Sequence, residues 1–328
     1  MFSKSLTATC LLLITLLPLL GHAEEEKALQ LTQTIVLPGV DDRLDHMAID
    51  LAGRRLFVAA LGNDTVEVVD LTTGTVGRVA GFEEPQGILY LNKSNRLFVT
   101  NGGNGRCDVL DGETLGPLEP LPLDGDADNI RYDGERVLYI GHGDGALAAI
   151  DAESQKMIGD IKLDAHPESF QLEQNGPKVF INVPNAAQIV VVDRNQQKII
   201  ATWPLTEGRA NFPMALDEAH GRLLVGVRAP AKLLVLDTAS GKTVTALDIN
   251  ADPDDIFYDA KSGRIYISCG EGFIDVITQR DADHYEMTEK VPTAAGARTS
   301  LWVPEWGQLF VAVPQGGEEA SIRVFTSH

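Results

Sequence analysis

One pattern recurs along this chain at nearly constant spacing: a short apolar run closed by a turn-forming polar residue. VEVVD ends at Asp70, CDVLD at Asp111, ALAAID at Asp151, IVVVD at Asp193 and LLVLD at Asp237, in steps of 41, 40, 42 and 44 residues. Two weaker copies follow, FIDVIT at Thr278 and IRVFT at Thr326. A second run keeps phase with the first: RLFVAA from Arg55, RLFVTN from Arg96, RVLYIG from Arg136, KVFINV from Lys178, RLLVGV from Arg222, RIYISC from Arg264 and QLFVAV from Gln308. Self-similarity at a fixed period outweighs any local signal, because each copy must be one structural unit that stacks on its neighbours.

The clearest copy spans 212–253. It holds four apolar runs (213–216, 223–227, 233–236 and 244–249), parted by His220-Gly221, a loop over 228–232 and Ser240-Gly241. Runs of this length, rich in Val and Leu and bounded by Gly, Pro, Asp and Ser, read as strands. The unit is therefore a four-stranded antiparallel meander, and a period near 40 residues is that of a β-propeller blade. Seven copies predict an all-β, seven-bladed β-propeller. The last copy has strands only at 299–303, 309–313 and 321–325, whereas 29–37 (LQLTQTIVL) is a strand without a blade. The N-terminal strand is expected to complete blade seven and close the ring. A basic residue opens six of the second strands and reads as a solvated strand end that discourages edge pairing.

The motif RLFVTN at 96–101, the third strand TVEVVDLTTGTV at 65–76 and Pro-led segments such as Glu84-Pro85-Gln86-Gly87 together resemble the YVTN-repeat propellers of the YncE-like kind, over residues 45–328. The resemblance implies the fold. Proteins with this repeat include exported proteins of unassigned role and propeller domains of redox enzymes, so activity has to be argued from the site.

Residues 1–23 differ from the rest: Lys4, an apolar run over 11–20, then Gly21-His22-Ala23 before Glu24. This reads as a secretory signal, too short for a membrane span. The expected mature chain is a single propeller domain over 24–328, periplasmic or secreted, with no membrane insertion after cleavage. Removing Lys4 from the 27 Lys and Arg leaves 26 against 47 Asp and Glu, a net charge near −21. Such a charge repels nucleic-acid phosphates and anionic lipid. The mature cysteines, Cys107 and Cys269, fall at different strand positions of different copies, and nothing in their spacing demands a bridge. No C-x-x-C-H, G-x-S-x-G or H-E-x-x-H is present, and Gly102-Gly103-Asn104-Gly105 joins two strands without opening a helix, so it makes no phosphate cradle.

Strand alternation places the loops leading into first strands and the loops between second and third strands on one rim, around the axial channel where propellers bind ligands. The leading loops carry Asp45-His46, Pro85-Gln86, Asp128-Asn129, His166-Pro167-Glu168, Asn211-Phe212-Pro213, Asp254-Asp255 and Arg298-Thr299. The others add Asn63-Asp64, Asn101, His142, Asn185, Arg228, Cys269 with Glu271, and Gln315. Asp, Asn and Pro before a strand are also ordinary turn formers; what singles these out is their convergence. The ligand-binding candidates are His46, Gln86, Asn129, His142, Arg228 and Arg298. Asn129, Glu168, Asn211 and Asp255 offer oxygen ligands suited to a hard cation, Ca²⁺ or Mg²⁺. This composition is similar to the Glu/Asn/Asn/Asp metal site of gluconolactonase-type propellers, but the order and repeat motifs differ and no residue is carried over.

Two functional readings follow. The first is an exported propeller that binds a small ligand, a metal ion or a periplasmic protein at its channel mouth. The second is a cation-dependent hydrolase, lactonase or lyase at the same rim, with His46 or Glu168 as general base. An accessory role beside an electron-transfer enzyme is a third possibility, for which the chain has no redox ligand set.

Overall fold

The computed structural model describes Met1, Phe2 and residues 27–328, so apart from its first two positions the expected leader lies outside the described residues. The chain forms seven four-stranded antiparallel sheets: 47–80, 85–122, 127–162, 170–204, 209–248, 253–292, and a seventh made of Ser300–Val303, Gln308–Val313, Ser321–Ser327 and Leu29–Val36. We number them blades one to seven. The N-terminal strand takes the outer edge of blade seven, antiparallel to its C-terminal neighbour, with Leu29 opposite Ser327 and Val36 opposite Ser321. The two strands are also tied where His328 N donates to Ala28 O at 3.3 Å. No helix among the described residues is long and apolar enough to cross a membrane.

Period-2 alternation of the second strands builds the core. In blade one, Leu56 and Val58 pack against blade seven while Phe57 and Ala59 pack against blade two. Blade four repeats this, with Val179 and Ile181 toward blade three and Phe180 toward blade five. Every neighbouring pair of blades is joined by such an apolar layer, and the pair six and seven includes Leu29 from the closing strand. Burial on both faces explains why the second strands are nearly continuous apolar runs.

The periodic Asp of five of the seven third strands is a turn device. Asp70 Oδ1 accepts from Thr72 N at 2.8 Å and Thr73 N at 2.9 Å, and Asp193 Oδ1 accepts from Asn195 N and Gln196 N, both at 2.9 Å. These are Asx turns, and the backbone N–H groups hold the carboxyls below their usual range, for Asp151 at about 2.

Two expectations are corrected. Four of the six basic residues that open second strands are paired with carboxylates: Arg55 with Asp50 at 2.7 Å, Lys178 with Glu173 at 3.6 Å, Arg222 with Asp237 at 3.3 Å, and Arg136 with Asp151. They stitch hairpin ends together, because the turn carboxylates lie beside them. The loop over 228–232 shrinks to Pro230, since the flanking strands run through Ala229 and resume at Ala231. Cys107 and Cys269 are both buried free thiols, and burial raises the pKa of each.

Leu29 is 1% exposed in the layer between blades six and seven, whereas Leu31 on the same strand is 47% exposed. Leu29→Ala is expected to cost about 2–4 kcal/mol in urea unfolding, and Leu31→Ala about 0.5 kcal/mol or less. A negligible effect of Leu29→Ala would show that the closing strand lies outside the cooperative unit.

Candidate functional site at the channel mouth

The first strands line the axis, and their register sorts side chains into tiers. Met47, Ile88, Ile130, Phe170, Met214, Ile256 and Ser300 sit opposite equivalent second-strand residues, from Val58 in blade one to Val311 in blade seven. They form a third tier. One residue earlier lies a second tier of His46, Gly87, Asn129, Ser169, Pro213, Asp255 and Thr299, and one earlier still a mouth tier of Asp45, Gln86, Asp128, Glu168, Phe212, Asp254 and Arg298. One residue later lies a fourth tier of Ala48, Leu89, Arg131, Gln171, Ala215, Phe257 and Leu301.

The mouth tier is turned toward the axis by a recurring irregularity. In blades two, three, five and six the first strand shifts register just before the third tier, at Pro85/Ile88, Ala127/Ile130, Asn211/Met214 and Pro253/Asp255. A bulge adds residues without a partner on the next strand and re-aims their side chains. Here they include Gln86, Asp128, Asn129, Phe212 and Asp254, all of which line a cup of about 550 Å³. The freed backbone groups are satisfied by second-strand side chains of the same blade or the one before it. Thr100 Oγ1 accepts from Gly87 N at 2.8 Å and bonds Asp128 O, and Asn182 Nδ2 donates to Phe212 O at 2.8 Å. A lone polar residue near the end of an apolar second strand, as in FVTN and FINV, marks these staples in the sequence.

The cup is electrostatically two-sided. Across blades five, six and seven, Arg228 and Arg298 share Asp252 and Asp254. Arg228 Nε lies 3.1 Å from Asp252, Arg298 lies 2.9 Å from Asp252 and 3.0 Å from Asp254, and the Arg228 guanidinium sits 3.8 Å above the Phe212 ring. Burial raises the Asp254 pKa to about 6 against the pull of both arginines. Arg43 pairs with Asp45 at 2.7 Å.

Across blades three and four, ligand atoms of Asp128, His166 and Glu168 all lie within 4.8 Å of one another. His166 Nδ1 is 2.7 Å from Gly143 O, to which it donates, leaving Nε2 facing Asp126 at 3.8 Å and Asp128 at 4.0 Å. Burial works against charge on both acids. Glu168 yields, pushed up to about 9 by burial and by the neighbouring Asp128 charge, whereas the nearby His166, the charge of His46 and the protonated Glu168 keep Asp128 below its usual range against its own burial. The His166 pKa rises to about 9, burial being outweighed by the nearby Asp128 carboxylate, the carbonyl of Gly143 and the charge of Asp126. Beside them Asn129 is 2% exposed, donates through Nδ2 to Asp128 Oδ1 at 3.3 Å, and has no partner for its buried Oδ1.

His46 stands at the floor. It lines both this cup and the cavity beneath, with Nδ1 3.7 Å from Asp255, Nε2 3.7 Å from Asp45 and Nε2 3.4 Å from Asn129 Nδ2. Burial opposes charge on the ring, but Asp255 first, then Asp45 and Asp128, raise its pKa to about 10.

Of the expected site residues, His46, Gln86, Asn129, Glu168, Arg228 and Arg298 line the cup. His142 does not: it is 1% exposed, with Nδ1 accepting from Asp124 N at 3.3 Å and Nε2 3.1 Å from Asp160, so it ties strands of blade three together. Asn211 is fully buried, its Nδ2 donating to Asn182 Oδ1 at 2.9 Å and Gln188 O at 3.0 Å. Asp255 accepts from Ser300 N at 2.7 Å and belongs to the lower cavity. The quartet Asn129, Glu168, Asn211 and Asp255 is therefore not one ligand set; Asp128 and His166 join Glu168 instead. The sequence signal for His166 is its spacing: i and i+2 share a face in extended chain, and Pro167 keeps the residue before it extended.

No protein-family profile matches the sequence. The chain is 24% identical over 239 residues to the uncharacterized protein YncE of Salmonella typhimurium, a match covering 67% of each chain, and equally to YncE of Salmonella typhi. Among solved structures it superposes on a chain of the mitotic checkpoint complex with a TM-score of 0.79 at 15% identity, covering 99% of each. It also superposes on hydrazine synthase of Kuenenia stuttgartiensis with a TM-score of 0.75 at 16% identity, covering 87% of this chain and 97% of that one. At such identities the structural likeness shows the fold alone.

The His46 geometry predicts a pH effect. Its folded pKa of about 10 lies above the 6.5 of a free imidazole, so its contribution to stability is complete below pH 6.5 and is lost as pH rises toward 10. In chelator-treated protein, the stability difference between wild type and His46→Gln should shrink across that window, by at most about 1.4 kcal/mol per pH unit. A pH-independent difference in chemical denaturation would count against the imidazolium.

Proposed function

We propose that this YncE-like seven-bladed propeller is a binding protein whose channel mouth holds a divalent cation between Asp128, His166 and Glu168. The observation that carries the reading is the convergence of these three ligand atoms within 4.8 Å at the rim of an open cup. The hydrogen bond from His166 Nδ1 to Gly143 O supports it, since a ligating imidazole almost always donates its other nitrogen to a carbonyl or carboxylate. The ion would have to displace the protons that His166 Nε2 and Glu168 otherwise hold, so binding would release protons and strengthen with rising pH.

An imidazole with two carboxylates suits a first-row transition ion, such as Mn²⁺, Co²⁺, Ni²⁺ or Zn²⁺, better than Ca²⁺ or Mg²⁺. Three protein ligands leave coordination positions open. Those positions would face a cup whose far wall carries Arg228, Arg298 and Phe212, a suitable seat for a small polar or anionic solute or for a side chain of a protein partner. With residues 1–23 read as an export signal, the site would meet solutes of the periplasm or the cell exterior.

The charge state of His46 favours binding over hydrolysis. An imidazole with a pKa of about 10 is protonated at neutral pH and has no lone pair for a general base. His46 fits the role of an electrostatic anchor between Asp45 and Asp255.

Isothermal titration of chelator-stripped protein with MnCl₂, NiCl₂ and ZnCl₂ is expected to show one site per chain. At a hundredfold excess of metal over Kd, unfolding should become harder by about 2.7 kcal/mol. His166→Ala should weaken binding by at least about tenfold, and CaCl₂ should bind more weakly than the transition ions. If wild type took up no metal, or His166→Ala took it up equally well, the site would not be metallic.

A further inference from the structure

Below His46 the channel changes chemistry. A second cavity, of about 470 Å³, is lined chiefly by residues of the third and fourth tiers and by those beneath them. On the fourth tier Arg131 is the only charged residue, surrounded by alanine, leucine and phenylalanine side chains and the uncharged Gln171. Three separate observations single Arg131 out.

The first is its lack of a partner. Arg131 is half-buried, and its one hydrogen bond runs from Nη1 to the carbonyl of the preceding residue, Ile130, at 2.9 Å. Its guanidinium carbon lies 5.7 Å from the centre of the Phe170 ring, which holds the plane in place. Among the described residues no carboxylate comes within ion-pair distance. Burial lowers its pKa, and Asp255 and Asp128 offset this only from a distance. A charge taken out of water normally keeps a counter-ion.

The second is that most other polar groups of this cavity are already engaged. Gln171 Nε2 donates to Met214 O at 2.8 Å, Tyr90 Oη donates to Asn95 at 2.7 Å, and Tyr258 Oη donates to Gln279 at 2.6 Å. Asp255 accepts from Ser300 N. The Ser169 and Ser300 hydroxyls can still donate into the space, and His46 stands at its top. His46 faces Asp45 and Asp255 at 3.7 Å, however, so among the described residues Arg131 is the lining cation that has no carboxylate within ion-pair distance.

The third is the character of the walls: Leu89, Met214, Phe257 and Leu301 present apolar surface around that fork. A mostly apolar concavity of a few hundred Å³ with one polar anchor is how proteins hold small organic molecules.

We propose that the lower half of the axial channel is a binding site for a small monocarboxylate with an apolar body, its carboxylate held by the Arg131 guanidinium. The planar fork of an arginine matches a carboxylate in two parallel hydrogen bonds. One negative charge balances one guanidinium. A dianion such as phosphate would place surplus negative charge beneath Asp128 and Asp255 and leave the apolar walls uncovered. This site is separate from the channel mouth and does not rest on metal binding there.

The probes are sodium octanoate, its neutral isostere octanamide, and inorganic phosphate, each titrated calorimetrically into the whole chain. Octanoate is expected to bind, with octanamide and phosphate weaker by at least about tenfold. Arg131→Gln should lose octanoate affinity by a similar factor, Arg131→Lys should keep part of it, and His166→Ala should leave it unchanged. Without ligand, Arg131→Gln should melt at or above the wild-type temperature, because it removes a half-buried charge that has no partner. Absent octanoate binding, equal affinity for octanamide, or undiminished binding by Arg131→Gln would each overturn the proposal. So would a marked loss of melting temperature in Arg131→Gln, which would make Arg131 a structural residue.

Discussion

Dry contact between blades is the constraint on which everything else in this molecule depends. Each second strand delivers its side chains alternately to the layer before it and the layer after it. Shifting one strand by a single residue would exchange both sets at once, so the blades are locked in a common register. That register makes tiers possible: seven unrelated loop sequences deliver one side chain each to the same height on the axis. The site needs no dedicated element. It forms where equivalent positions of a repeat carry different residues.

The mouth gathers far more charge than a packed core tolerates, and it does so by arranging mutual neutralisation. Arg228 and Arg298 are matched to Asp252 and Asp254. On the facing side the excess of acids is met by protons: Glu168 holds its own, and His46 and His166 are held charged. Solvent does not have to screen these groups, because every blade brings at least one partner within reach. Deeper in the channel the same tiering yields the opposite result, an isolated Arg131 among apolar neighbours. Charge within this tube is thus graded along the axis, dense and balanced at one end, sparse and unmatched further in.

The architecture was legible in the sequence because it is written seven times. The third-strand Asp and the apolar second strand gave both the number of blades and their boundaries, and the unpaired strand at 29–37 announced the closure. The choice of rim was legible as well, since strand direction decides it. Which rim residues face the axis was not, because that depends on bulges that are signalled only indirectly, by polar residues such as Thr100 and Asn182 on second strands that bond the freed backbone. Asn211 and Asn129 both lie in leading loops, yet Asn211 precedes its register shift and is consumed by Asn182, whereas Asn129 follows the unpaired Asp128 into the cup. His142 ends a second strand and bonds within its own blade. Arg131 left no trace in the sequence, being one basic residue in an ordinary strand whose meaning comes from six neighbours more than thirty residues away in the chain.

The sheet that joins the two ends of the chain has a consequence for connectivity. Blade seven draws three strands from the C-terminal side and one from the N-terminal side, with residues 28 and 328 hydrogen-bonded to each other. Its geometry matches that of blades whose four strands are consecutive. Linking residue 328 to residue 28 and opening the chain at the Ser240-Gly241 turn would give a circular permutant of the propeller with the same channel, in which blade five becomes the composite blade.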